Sequence, residues 1–265
     1  MNSRADLARK AALQTGKTLF GLYQKGGQTG FLKEDHTLVT EADKAADKMI
    51  QKMILDDFPG DKVLSEEGST IYPNSEHVWI IDPLDGTVNF SQGLGFWGVS
   101  IAHLENGLPQ SAALYFPVTD EFYSAVKGKG AYLNDKPLKV SADFEEILFP
   151  IFVHCSRMHK RYTVDLPYKT RSLGAAAYHL CMVAKNKAAL AFESTVRIWD
   201  IAASWLVVTE AGGVIAPYGD TQPFPAEPET DYKKIPFATI AAASEDVLTE
   251  ARNNIIRKSN MEEKK

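Results

Sequence analysis

The residues best suited to chemistry lie in Trp79-Ile80-Ile81-Asp82-Pro83-Leu84-Asp85-Gly86-Thr87-Val88-Asn89-Phe90. An apolar run from Val78 to Ile81 ends in two aspartates three residues apart, with a proline, a glycine and a threonine around them. A buried strand does not ordinarily finish in paired carboxylates, because each uncompensated buried charge costs several kcal/mol. A cation would offset that cost. Hard oxygen ligands favour magnesium, manganese or calcium over zinc.

Other acids strengthen the pattern. Lys62-Val63-Leu64-Ser65-Glu66-Glu67-Gly68 is a second short apolar strand that ends in carboxylates. Asp200 opens an apolar helical stretch that runs to Ala211-Gly212-Gly213. Asp43 follows Thr40 by three residues, the spacing of a capping box. Taken singly, Asp43 and Asp200 read as helix caps, and Glu66-Glu67 as a solvated pair. The Asp-Pro-Leu-Asp-Gly-Thr turn does not reduce to a surface turn, because that leaves the apolar strand before it unexplained.

In this order the motifs resemble the inositol monophosphatase family of metal-dependent, lithium-sensitive phosphatases. The likeness runs from Leu38-Val39-Thr40-Glu41-Ala42-Asp43 through Ser65-Glu66-Glu67-Gly68 and Trp79 to Phe90. It continues through Gly128 to Asn134 and Arg171 to Ala177, and ends with Trp199-Asp200 to Gly213. The two most specific signatures are W-I-I-D-P-L-D-G-T-x-N-F and W-D-x-A-A followed by E-A-G-G. The resemblance implies an α/β (α+β) fold, a layered αβαβα sandwich of the inositol monophosphatase and fructose-1,6-bisphosphatase type. It also implies two halves. Residues 1–140 would carry an antiparallel sheet and most metal ligands, and residues 141–265 would complete the metal site and the pocket.

The same resemblance implies a site. Glu66, Asp82 and the Leu84 carbonyl would hold a first Mg²⁺; Asp82, Asp85 and Asp200 a second; Glu66 and Glu67 a weaker third. Mn²⁺ is the expected substitute. Thr87, backed by Asp43, would orient the attacking water with help from Glu66. The N–H groups of Gly86 and Thr87 would bind phosphate, in a turn leading to a short helix opened by Asn89. Glu193 would contact substrate hydroxyls, beside Gly174, Ala175 and Ala176; its other reading is a surface carboxylate at a strand end. A homodimer is implied as well.

One segment departs from the family. Between Phe152 and Arg171, animal inositol monophosphatases carry a longer insertion with an extra helix, beside the substrate pocket. The activity the resemblance implies is Mg²⁺-dependent hydrolysis of a small phosphorylated polyol or sugar, inositol monophosphate first. Relatives with this core hydrolyse histidinol phosphate, fructose 1,6-bisphosphate or 3′-phosphonucleotides, and the fold cannot choose among them. A metal-binding regulatory protein is the alternative from another class.

Composition agrees with this reading. The chain has 265 residues, 45% hydrophobic and 24% charged, enough for one large domain or two intimately packed ones. A formal net charge of −5 gives no general attraction for nucleic acid or anionic membrane, so neither is expected as a partner. Cys155 and Cys181 have no metal-site or disulfide spacing. Neither a signal peptide nor a membrane span is legible, and a cytoplasmic location is expected. Basic residues cluster at Arg157, His159, Lys160, Arg161 and Lys169, and the tail from Arg257 reads as frayed.

Periodicity then predicts the elements that carry these residues. Apolar positions at helical spacing place helices from Leu7 to Tyr23 and from Thr40 to Phe58. A meander follows over Trp97–Leu104, Ser111–Phe116 and Glu121–Val126, joined by Glu105-Asn106-Gly107 and Pro117–Asp120. Asn134-Asp135 is a further turn. Strands near Leu148–His154, Ala188–Phe192, Val214 and Phe237–Ala242 then alternate with helices at Gly174–Lys185 and Asp200–Ala211. A closing helix starts at Ser244, and Tyr218 to Ile235 is an irregular loop.

Overall fold

The computed structural model describes residues 3–26, 31–32, 38–141 and 150–258. Its first half comprises α1 (Arg4–Tyr23), β1 (Phe31–Leu32), β2 (Leu38–Val39), α2 (Glu41–Asp57), β3 (Lys62–Ser65), β4 (His77–Asp85), α3 (Thr87–Ser91), β5 (Gly98–Glu105), β6 (Leu108–Phe116), β7 (Glu121–Val126), β8 (Ala131–Leu133) and β9 (Lys136–Leu138). The second half comprises β10 (Ile151–His154), α4 (Met158–Arg161), β11 (Tyr162–Val164), β12 (Lys169–Arg171), α5 (Ala176–Ala184), β13 (Leu190–Val196), α6 (Ile198–Glu210), β14 (Val214–Pro217), β15 (Phe237–Ala242), α7 (Glu245–Asn254) and β16 (Ile255–Arg257).

Local signals explain the helix starts. Ser3 and Asp6 form a capping box on α1, and Thr40 and Asp43 form one on α2. Ser244 accepts the N–H of Val247 and caps α7.

β4 shows how the layers form. Val78 and Ile80 enter one apolar cluster, while Trp79 and Ile81 enter another. A strand alternates its faces with period two, so a strand apolar at every position is buried on both sides. The seven-stranded sheet runs β3-β4-β5-β6-β7-β8-β9. α1 and α2 pack on one face and α6 on the other. The five-stranded sheet runs β12-β10-β13-β15-β14. α5 packs on its inner side, and α7 joins its outer cluster around Phe152, Leu190 and Ile240. The layers are thus helix, sheet, helix, sheet, helix, as the resemblance implied. Each fully buried Leu, Ile or Phe contributes roughly 1.5–3 kcal/mol, so a few of them offset the cost of holding acids inside.

Four expectations need correcting. The first sheet is not wholly antiparallel, because β3 lies parallel to β4. The short helix after Gly86 opens at Thr87 rather than Asn89. The helix carrying Asp200 begins at Ile198, so Asp200 is its third residue. Arg257, the first residue of the tail expected to fray, is instead paired, because β16 lies antiparallel to β11, while residues 259–265 lie outside the described residues. That pairing joins positions about ninety residues apart, which local reading cannot see. The predicted start of β10 near Leu148 and the end of the first loop at Thr37 lie outside the described residues.

Candidate active site

The register of two parallel strands builds the centre. Ser65 of β3 pairs with Ile81 of β4, and the Glu66 N–H donates to the Ile81 carbonyl at 3.3 Å. Glu66 therefore emerges beside Asp82. Buried Asp47 supports this end of β3, accepting hydrogen bonds from the Ser65 hydroxyl and, at 2.7 Å, from Gln51 Nε2.

β4 then bulges. Asp82 pairs with Ser100 and Asp85 with Gly98, so β4 spends one residue more than its neighbour. Residues three apart on a regular strand face opposite ways; an extra residue re-aims them. The Asp82 carboxylate accepts the Leu84 N–H at 3.0 Å. Gly86 follows at φ 87°, and a Cβ there would lie 2.7 Å from the Phe96 carbonyl. Only glycine fits this turn without strain.

Carboxylate oxygens of Glu66, Asp82 and Asp200 lie within 4.8 Å of one another. Asp200 reaches the group from the first turn of α6, where its Oδ2 also accepts the Arg197 N–H at 2.7 Å. Asp85 stands beside this triangle rather than in it. Both its oxygens face the start of α5, accepting from Ala176 N–H at 3.1 Å and Ala177 N–H at 2.9 Å. Helix N-termini present unsatisfied N–H groups, which suit a carboxylate. Glu67, half-buried, donates its N–H to Ser65 Oγ at 3.3 Å and is outside the triangle.

The electrostatics reflect crowding. Burial, then the charges of Glu66, Asp85 and Asp200, push Asp82 well above the usual carboxylate range. Burial raises Asp85 to about 7, against the Ala176 and Ala177 N–H groups, which lower it. Burial and then Asp85 raise Asp200 to about 7. The Arg197 charge offsets only part of this crowding at Asp200, and the cluster's oxygen donors match a hard divalent cation.

Asp43 has two duties. Its Oδ2 accepts from the Thr40 N–H at 2.7 Å and the Thr40 hydroxyl at 2.5 Å. Its Oδ1 lies 2.9 Å from Thr87 Oγ1, which is also 3.0 Å from the Leu84 carbonyl. The capping role and the link to the Asp-Gly-Thr turn therefore coexist. Burial raises Asp43 above the usual range, while the Thr40 and Thr87 bonds lower it.

A pocket of about 220 Å³ opens beside the triangle, lined by Asp85, Asp200, Glu193, His179, Arg157 and the Gly174–Ala176 segment among others. Glu193 is not a surface carboxylate at a strand end. It is 1% exposed within β13, where the pairing with β15 shifts register after it. Sequence reading missed His179 and Asp47 as part of the site's framework, and placed Asn89 only at the start of the short helix. Asp47 was legible as the residue one helical turn after Asp43, and Asn89 by its place in the signature from Trp79 to Phe90; His179 carried no local signal. Cys181 is fully buried, and half-buried Cys155 lines the pocket with Sγ 3.1 Å from Ser194 Oγ.

A sequence profile of the inositol monophosphatase family matches residues 1–260. The chain belongs to the inositol monophosphatase family. It is 34% identical to inositol monophosphatase 3 of Solanum lycopersicum, over 79% of this chain and 84% of that protein. It is 34% identical to the Nus factor SuhB of Pasteurella multocida, over 82% and 86%. It is 32% identical to a histidinol-phosphatase of Chlorobaculum parvum, over 84% and 88%. Among solved structures, an IMPase of Thermotoga maritima superposes with a TM-score of 0.76 at 26% identity, covering 93% of this chain and 96% of that one. The chain is accordingly a phosphoric monoester hydrolase of a metal-dependent family, and its acidic triangle can hold a metal ion. Among the described residues no helix is long and apolar enough to cross a membrane.

Proposed function

We propose that this protein hydrolyses a small phosphorylated polyol or sugar, inositol monophosphate first, with Mg²⁺ as the metal. The observation that carries this reading is the acidic triangle opening onto a pocket that contains a further buried carboxylate, Glu193. A divalent cation, when bound, supplies charge neutralisation to phosphoryl oxygens and acidifies a water. Glu66, Asp82 and the Leu84 carbonyl would hold a first ion, and Asp82, Asp85 and Asp200 a second, with Glu66 and Glu67 beside a third. Mn²⁺ is the expected substitute.

The chain's own groups do the rest. Thr87 has one hydroxyl proton. Donated to Asp43, it leaves the oxygen's lone pairs free to accept from the attacking water, and Glu66 takes part in its activation. The Gly86 and Thr87 N–H groups meet the phosphate. Glu193 accepts hydrogen bonds from the alcohol part of the substrate, against the wall of Gly174, Ala175 and Ala176. Water attacks phosphorus directly, with no covalent phosphoenzyme.

Histidinol phosphate is the second reading. Its ammonium group would suit a buried carboxylate, and a relative of this chain is a histidinol-phosphatase. Phosphate release from a panel of inositol, histidinol, fructose and nucleotide phosphates, with and without Mg²⁺, tests both. Inositol monophosphate is expected to have the highest kcat/KM; no Mg²⁺-dependent release from any of them overturns the proposal and favours a regulatory role. The same reading carries inhibition by lithium at the second ion site and a homodimer in solution. Light scattering at the mass of one chain would contradict the dimer.

A further inference from the structure

His179 is 1% exposed and lies against the pocket, yet nothing in the reaction described above uses it. Its two ring nitrogens face two different walls. Nε2 accepts the Leu173 N–H at 2.9 Å. Nδ1 lies 2.5 Å from Glu193 Oε1. A nitrogen that accepts from a backbone N–H carries no proton, so the ring's one N–H is assigned to Nδ1 and points at Glu193. The contact is thus a hydrogen bond from a neutral ring to a carboxylate rather than an ion pair. With both nitrogens engaged, the ring has none left for a metal or for the substrate.

The contacts continue past Leu173. Asn89 Nδ2 donates to the Leu173 carbonyl at 2.7 Å and to the Phe96 carbonyl at 2.6 Å. Gly174 sits at φ 82°, where a Cβ would come within 2.9 Å of Asn89 Oδ1. A line of direct contacts therefore runs from α3, which follows the Asp-Gly-Thr turn, through Leu173 and His179 to Glu193. Oε2 of Glu193 has no hydrogen-bond partner among the described residues. A glutamate has three rotatable side-chain bonds, and holding one oxygen fixes the direction of the other.

We infer that His179 is the positioning residue that sets substrate choice, bracing Glu193 against the Leu173–Gly174 wall so that Oε2 meets a donor hydroxyl of the substrate. This rests on the role proposed for Glu193. A site built around a hydrogen bond to a hydroxyl discriminates strongly against analogues that lack it. The effect of His179 falls on KM for the polyol phosphate, because the brace orders the pocket and touches no reacting atom.

The two nitrogens can be mimicked separately. The amide of His179→Asn can reach the Nδ1 position and donate to Glu193, whereas that of His179→Gln can reach the Nε2 position and accept from Leu173. The measurement is the ratio of kcat/KM for inositol monophosphate to that for p-nitrophenyl phosphate, with thermal unfolding of each variant to verify folding. Glu193→Gln and His179→Gln should each lower the ratio about tenfold, the size of a lost charge-assisted hydrogen bond. His179→Asn should keep more of it. In the Glu193→Gln background, His179→Gln should change the ratio less than about twofold, since coupled residues are not additive. Full additivity, or an unchanged ratio in His179→Gln, overturns the proposal. An unchanged ratio in Glu193→Gln overturns the Glu193 reading and with it the specificity role. The brace itself is read in the wild-type protein by ¹⁵N NMR of histidine: an Nδ1–H tautomer whose shift moves in Glu193→Gln supports it, and an Nε2–H tautomer refutes it whatever the kinetics.

Discussion

Asp82→Asn separates the two things this carboxylate does in the fold. It is 1% exposed and its Oδ1 accepts the Leu84 N–H, a bond that an asparagine amide oxygen can keep. The bulge is therefore expected to survive. What disappears is a negative charge whose oxygens lie within 4.8 Å of those of Glu66 and Asp200. Two unit charges at that separation repel by about 3–4 kcal/mol at an effective dielectric of 20, an upper bound because the acids share protons. A net gain of about 1–2 kcal/mol in the chelated protein is the expectation at neutral pH, or roughly 2–8 °C in Tm. Turnover moves the other way. The substituted amide cannot bridge cations, so kcat should fall to background and added Mg²⁺ should no longer raise Tm. The assay is phosphate release beside thermal unfolding, in EDTA and in Mg²⁺. Retention of more than about a tenth of the wild-type kcat, or a lower Tm in EDTA, refutes the argument from charge crowding.

Three further outcomes follow from the same geometry. Thr87→Val removes the hydroxyl that lies between Asp43 and the Leu84 carbonyl, and should lower kcat about a hundredfold with little change in KM; an unchanged kcat excludes Thr87 from water orientation. Gly86→Ala puts a methyl group 2.7 Å from the Phe96 carbonyl at φ 87°, and should cost about 1–3 kcal/mol; a wild-type Tm with wild-type activity contradicts it. Asp85 and Asp200 titrate at about 7 in the folded chain, above the unfolded value near 4, so folding takes up protons between them. Stability of the chelated protein therefore falls as pH rises from about 4 to about 7, and the Tm increase caused by Mg²⁺ should be larger at pH 8 than at pH 5. An equal increase at both values overturns it.

Much of the framework was legible because it is local. Helix caps at Thr40 and Ser244 act within three residues, and the meander turns at Asn106-Gly107 and Pro117–Asp120 act within four. The abrupt passage from Ile81 to Asp82 shows in one dimension because burial and charge conflict along a single strand. The missed elements, β1, β2, β8, β9, α4, β11, β12 and β16, are two to four residues long and have too few positions to show a period. β11 and β16 exist only by pairing with each other.

The sequence by itself determined which residues carry the acid groups, that these belong at strand ends and helix starts, and the family to which the order of motifs points. Tertiary structure alone decided how they meet. Parallel pairing of β3 with β4 sets Glu66 beside Asp82, and a single extra residue in β4 re-aims Asp85 toward α5. Burial of Glu193 in β13 and its bond to His179 decided between its two readings, a surface carboxylate and a pocket residue, for the pocket. The physical reason is the same in each case. Capping and turn chemistry act over a few residues and leave a mark in the chain, whereas register, burial and the direction of a side chain are settled by partners distant in sequence.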